Sequence, residues 1–160
     1  DLIQTRNYVS HKRAFTLWDV RRKSTGLPFW LSGLHTTAGM KPANILDRNA
    51  QVKDLVAKVG HIARGITAVD KNNYSATPGS PTKRLKDAGI VSIYDAVDVA
   101  GANRNSHHDG KGTTTKPKNI DFLGAHRLVT IKSAKQVNTD AVENNDHDLL
   151  VATLVIAGTA

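Results

Sequence analysis

No cysteine occurs among the 160 residues, which excludes disulfides and thiolate chemistry and leaves the redox compartment open. No apolar run approaches the roughly 20 residues that a membrane-spanning helix needs, so no transmembrane span is expected. Internal repeats and low-complexity tracts are absent, and no secretory leader is visible; secreted, virion-associated and cytoplasmic settings all stay open. Acidic residues are scarce. Fourteen Asp and Glu face 22 Lys and Arg, a net charge of +8 with the seven His neutral. Such an excess attracts polyanions: phosphodiesters, nucleic acid or acidic surfaces. The basic residues are spread along the chain, and Arg21-Arg22-Lys23 is expected to be a solvated turn. The chain opens on Asp1 and not Met, and its length suits one domain with its own core or half of a larger one. The expectation is a processed or partial product.

What is present reads as an α/β pattern. "LWDVRRKSTGLPFWLSGLH", Leu17 to His35, predicts a β-hairpin turning at Ser24-Thr25-Gly26. Its aromatics Trp18, Phe29 and Trp30 are expected to be core or sheet cover. Ile45, Val52, Leu55, Val56, Val59 and Ile62 recur at helical spacing, which predicts a helix capped by Asn44 and closed by Arg64-Gly65. "ITAVD" is a short buried strand ending on Asp70. A second helix is punctuated by Ser80 as N-cap, Pro81 at its first position and Gly89 past its end. A turn of helix is expected near Ile93, then a long polar loop over residues 102–118, whose "SHHDG" tract is read as solvent-exposed. Three strands follow: "NIDFLGA", "RLVTIKSAKQV" and "DLLVATLVIAG". The layout is β-β-α-β-α-loop-β-β-β over residues 17–160, with residues 1–16 an extension of unassigned role.

Polar residues of catalytic type gather where these strands end. His35 closes one strand, Asp70 and Asn72 follow another, Asp121 lies within a third, and Asp146-His147 precede the last. Residues at one edge of a sheet converge although distant in sequence. Carboxylates bind hard cations through oxygen, and an imidazole paired with a carboxylate can take a proton from water.

These segments, in this order, resemble the C-terminal half of the endonuclease/exonuclease/phosphatase superfamily, the deoxyribonuclease I-like fold. "FWLSGLHT" resembles its strand ending in Asn-Thr-His, and Arg48 and Gln51 in "NILDRNAQVKDLV" resemble its Arg-x-x-Gln helix. "VDKNNYSATPGSP" resembles the Gly-Asp-Phe-Asn segment, with Asp70 and Asn72 in register. "LKDAGIVSIYDA" resembles the segment with Gly-Phe-x-Asp, "KNIDFLGA" the Arg-Ile-Asp-Tyr-Ile strand, and "NNDHDLLVATLVI" the final Ser-Asp-His-x-Pro-Val-x-Ala strand.

The resemblance implies an antiparallel-rich half of a four-layer α/β/β/α sandwich, its N-terminal half absent from this chain. It implies phosphodiester hydrolysis with Mg²⁺ (or Mn²⁺ or Ca²⁺), held by Asp70 and Asp146. His147 would be the general base, oriented by Asp121 or Asp146. Asp70 and Asn72 would position water and phosphate, and His35 would bond a phosphate oxygen, such donors contributing on the order of 3 kcal/mol each. Nucleic acid or another phosphoester would be the substrate, and a second chain or upstream segment would complete the sandwich. The departures are Val69 for the glycine before Asp70, Lys71 between Asp70 and Asn72, Asn145 for the usual Ser, and Asp148-Leu149 for x-Pro. The rival readings are a non-catalytic module of a larger assembly and a phosphatase acting on a small phosphoester.

Overall fold

A computed structural model describes residues 1–73, 77–100, 120–139 and 147–158. Six strands form one sheet in the order β1 (Leu2–Ser10), β2 (Arg13–Arg21), β3 (Pro28–His35), β4 (Gly65–Asp70), β7 (Asp121–Ala125), β5 (Val91–Ser92). A second sheet holds β6 (Val99–Ala100), β8 (Val129–Val137) and β9 (Leu149–Ile156), with β8 between the other two. Residues 1–16, set apart as an extension in the sequence reading, contribute all of β1 and the start of β2. β1 pairs antiparallel with β2 from Ser10↔Arg13 to Leu2↔Val20, so the hairpin of Leu17 to His35 is the second of two.

β3 and β4 run parallel, which requires a crossover, and helix α1 (Pro42–Val59) provides it. The buried residues Arg48, Gln51, Val52, Leu55 and Val59 recur every three to four positions and form one stripe. The helix starts earlier than Asn44 because Pro42, needing no N–H partner, takes the first turn after Lys41. The Asn44 side chain instead donates to the Ala38 carbonyl at 2.8 Å. The helix also ends before the expected Arg64-Gly65: the Gly60 N–H bonds the Val56 carbonyl, and Gly65 already pairs with Trp30 as the first residue of β4. Helix α2 (Pro81–Asp87) has the expected caps, with the Ser80 hydroxyl accepting from the Lys83 N–H and Gly89 at φ +73°. The turn of helix expected near Ile93 is α3 (Ile93–Ala96), set between the two-residue strands β5 and β6.

The alternation of β4 explains how two cores share one sheet. Val69 joins Phe15, Leu34, Val52, Leu55, Leu85 and Phe122 under the helices. Ile66 faces the other way and packs with Leu123, Ala125, Val129, Ile131 and Leu154 against the second sheet. Of the hairpin aromatics, Trp30 packs on the helix-side core, while Trp18 lies against Gly33 on the opposite face. Both fit the expectation of core or sheet cover. The tract over residues 102–118 lies outside the described residues.

Candidate active site

Strand register places the first three polar residues. His35, the last residue of β3, pairs with Asp70, the last of β4, and Asp70 pairs with Asp121, the first of β7. Partners in register project from the same face, here the one turned away from α1. The His35 Nε2 lies 3.2 Å from the Asp70 Oδ2. His147, just before β9, completes the group. Its Nδ1 is 2.9 Å from the Asp121 Oδ2, and its Nε2 is 3.9 Å from the Asp70 Oδ2. The Asp70 and Asp121 side chains are 15% and 18% exposed, and those of His147 and His35 32% and 61%. The carboxylates therefore form the floor and the imidazoles the rim of an open site.

Asn72 sits at φ +44°, a left-handed conformation that Asn tolerates better than bulkier residues. Its N–H donates to the Asp70 Oδ1 at 2.9 Å, and its amide donates to the Thr36 carbonyl at 3.1 Å. Arg48, fully buried, holds this turn from below. Its Nη1 donates to the Asn72 carbonyl at 2.8 Å and reaches the Gly39 and Thr37 carbonyls at 3.2 and 3.4 Å. Burial lowers its proton affinity and the nearby Asp70 partly restores it. Gln51, one turn further along α1, accepts from the Thr37 N–H and donates to the Thr37 hydroxyl, each at 2.8 Å. Arg48 and Gln51 carried the motif in the sequence with no role of their own. Their role emerges only when the loop after β3 and the turn after β4 are seen beside α1.

Lys71 is buried, and desolvation lowers its ammonium to about 8 against the opposing pull of Asp121 and Asp70. Its Nζ donates to the Asn73 carbonyl at 2.5 Å. The residue that breaks the Asp-Phe-Asn pattern thus puts a cation beside the two carboxylates. Asp148, another departure, anchors the His147 segment to the end of β8. It accepts from the Gln136 amide at 2.6 Å and the Thr139 N–H at 3.2 Å, while the Thr139 hydroxyl donates to the His147 carbonyl at 2.6 Å. No local signal marks this role, because Asp148 meets its partners only through the β8–β9 register.

Of the expected site residues, His35, Asp70, Asn72, Asp121 and His147 come together. Asp146 lies outside the described residues, and the carboxylate bonded to His147 is Asp121. Asp70, Asp121 and His147 offer ligand atoms that all lie within 4.8 Å of one another. Two carboxylates and one imidazole suit a divalent cation of the hard or borderline class.

No protein-family model matches the sequence, and no curated protein matches it. Solved structures do match. An endonuclease/exonuclease/phosphatase from Bacteroides vulgatus is 18% identical at a TM-score of 0.74, over 91% of this chain and 56% of its own. This is the fold of the endonuclease/exonuclease/phosphatase superfamily. The mannosyl-6-phosphatase Bt3783 of Bacteroides thetaiotaomicron is 18% identical at a TM-score of 0.64, over 90% of this chain and 57% of its own. D. rerio TDP2, complexed with single strand DNA product, is 12% identical at a TM-score of 0.64, over 96% of this chain and 68% of its own. The chain therefore spans a little over half of the length of the Bacteroides structures it matches. The matched structures thus include one named for phosphatase activity and one holding a DNA product.

Proposed function

We propose that this chain carries the active face of a hydrolase that cleaves phosphoesters by attack of water on phosphorus. The observation that carries the reading is the 2.9 Å pairing of His147 with Asp121, which occupies Nδ1 and turns Nε2 toward Asp70. A carboxylate on Nδ1 fixes the tautomer with a free basic nitrogen and stabilises the imidazolium. His147 Nε2 then takes the proton of the attacking water and can return it to the leaving oxygen. Asp70 and Asn72 position the water and a phosphate oxygen, and His35, at the rim, donates a hydrogen bond to a second oxygen as charge builds there. Asp70 and Asp121 would hold a divalent cation such as Mg²⁺, with Asp146 a further candidate ligand from its place in the sequence. When bound, the cation supplies Lewis-acid polarisation of the phosphate.

The net charge of +8 favours a polyanionic phosphodiester over a small phosphoester. The likeness in fold to a mannosyl-6-phosphatase supports the small-substrate alternative. Relaxation of plasmid DNA and hydrolysis of a sugar phosphate, each assayed in Mg²⁺, separate the two. His147→Ala is expected to lower the active reaction by about 10²–10⁴-fold. Unchanged cleavage would remove His147 from the mechanism.

The four-layer sandwich is part of the same proposal. Leu149, Val151 and Val155 lie exposed along one face of β9, an edge strand among the described residues. An upstream segment of the same polypeptide packing on this face would cover them. If a polypeptide including such a segment hydrolyses neither substrate, the non-catalytic reading replaces the enzymatic one.

A further inference from the structure

At the other end of the sheet from His35 and Asp70, a groove of about 560 Å³ opens between the hairpin strands and the end of α1. Its cations are Arg6, Lys58 and Arg64, with His61 beside them, and its rings are Tyr8 and Trp30. No carboxylate lines it, and none of the four basic residues has an acidic partner among the described residues. Two of the cations are held by rings instead. The Arg6 guanidinium lies 5.7 Å from the Trp30 ring centre, and the Lys58 ammonium lies 5.3 Å from that of Tyr8. Gln4 braces Arg6 through Nε at 2.9 Å and Nη2 at 2.7 Å, and the Arg64 Nε donates to the Ala157 carbonyl at 2.7 Å.

Unpaired cations fixed over aromatic faces repel one another, and an anion relieves that repulsion. The α1 C-terminus contributes only about half a negative charge to the groove, too little to neutralise three full cations. The volume falls within the range of about 300–1,000 Å³ typical of small-molecule sites, which combine an apolar wall with a few placed charges. Leu17 and Pro28 complete the apolar wall.

We propose that this groove binds an organic phosphate built on a flat ring, a nucleotide being the matching class. The phosphate lies between Lys58 and Arg64, and the base lies on the Arg6 guanidinium that covers Trp30, because Lys58 and Phe15 occupy the Tyr8 ring. Trp30 and His35 are five residues apart on β3, about 17 Å of strand, so one mononucleotide cannot occupy this groove and the catalytic face together. The inference stands whether or not the chain hydrolyses phosphoesters.

Calorimetric titration of the full chain in EDTA with AMP, adenosine and inorganic phosphate tests it. AMP is expected to saturate the protein below about 1 mM, with adenosine and phosphate each binding at least about tenfold more weakly. Arg6→Ala and Lys58→Ala alter exposed side chains, so the fold is retained, and each should weaken AMP binding about tenfold. His147→Ala should leave AMP binding unchanged. Absence of saturation by AMP overturns the proposal, as does phosphate binding as tightly as AMP. A response to His147→Ala with none to Arg6→Ala overturns it too, by moving the ligand to the other end of the sheet. Binding of an oligonucleotide but not of AMP replaces it with a nucleic-acid interface.

Discussion

Asp70 and Asp121 stand directly opposite each other across the antiparallel β4–β7 pair, two carboxylates in one register position on one face of the sheet. Like charges so placed destabilise a sheet. Here the repulsion is met by the buried Lys71 and by the imidazoles of His35, 3.2 Å from Asp70, and His147, 2.9 Å from Asp121 and 3.9 Å from Asp70. The same geometry that makes the pair costly in isolation makes it attractive to a cation.

Asp121→Asn keeps the size of the side chain and removes the charge that holds His147 in its tautomer. Phosphoester cleavage should fall by about 10²–10⁴-fold while the circular dichroism spectrum stays unchanged. Retention of full activity would show that Asp121 does not orient the base.

Asp70→Asn removes the carboxylate charge that both imidazoles and the proposed cation share. Mn²⁺ affinity, read by calorimetry at pH 7, should weaken about tenfold or more. An unaltered affinity would place the cation elsewhere.

Arg48→Met leaves the Asn72, Gly39 and Thr37 carbonyls without their buried donor. At about 1–3 kcal/mol for a buried group left unmade, chemical denaturation should show a loss of at least that size. Arg48→Lys should not restore it, because the shorter lysine side chain ends before the position of Nη1, the one atom that donates to all three carbonyls. Full rescue by Lys would show that only the positive charge matters.

His126 is buried, with Nε2 2.8 Å from the Thr67 hydroxyl, which in turn lies 2.8 Å from the Ser32 hydroxyl, and Nδ1 3.0 Å from the Ile62 carbonyl. Burial lowers its proton affinity below the usual 6.5. Above that value the ring is neutral in both states and adds no pH dependence. As pH falls through it, the unfolded chain takes the proton and the folded chain resists, so stability declines. Tm should therefore fall between about pH 7 and pH 5.5, and His126→Gln should flatten that slope. Equal slopes in the two proteins would exclude His126 as the cause.

Leu55→Ala empties the middle of the buried stripe of α1, where Leu55 is fully enclosed. A loss of about 2–5 kcal/mol in urea unfolding is expected, with the folded state otherwise intact. A loss below this range would mean that the helix-side core collapses around the gap.

Much of this is legible in the sequence alone. The three-to-four spacing of Val52, Leu55 and Val59 announces α1, and Ser80-Pro81 with Gly89 announces α2, because helices carry their own period and punctuation. The motif residues point to His35, Asp70, Asn72, Asp121 and His147 as a group. Residues 1–16 escaped because β1 is almost wholly exposed and lacks the apolar alternation that marks a half-buried strand. Its order comes from pairing with β2, a contact no local pattern shows. The ends of α1 were misplaced for a similar reason: pairing with β3 claims Gly65 for β4.

The sequence by itself determined which residues share a face along α1 and α2, since the helical period and its punctuation are local. Tertiary structure decided which of those faces meet. The register of β3, β4 and β7 aligns His35 with Asp70 and Asp70 with Asp121, and the loop before β9 delivers His147 to Asp121. Arg48 and Gln51 gain their partners, and the basic groove its shape, from chain segments far apart in sequence. Register and packing between distant segments are set by the fit of the whole core, so no single stretch of the chain contains them.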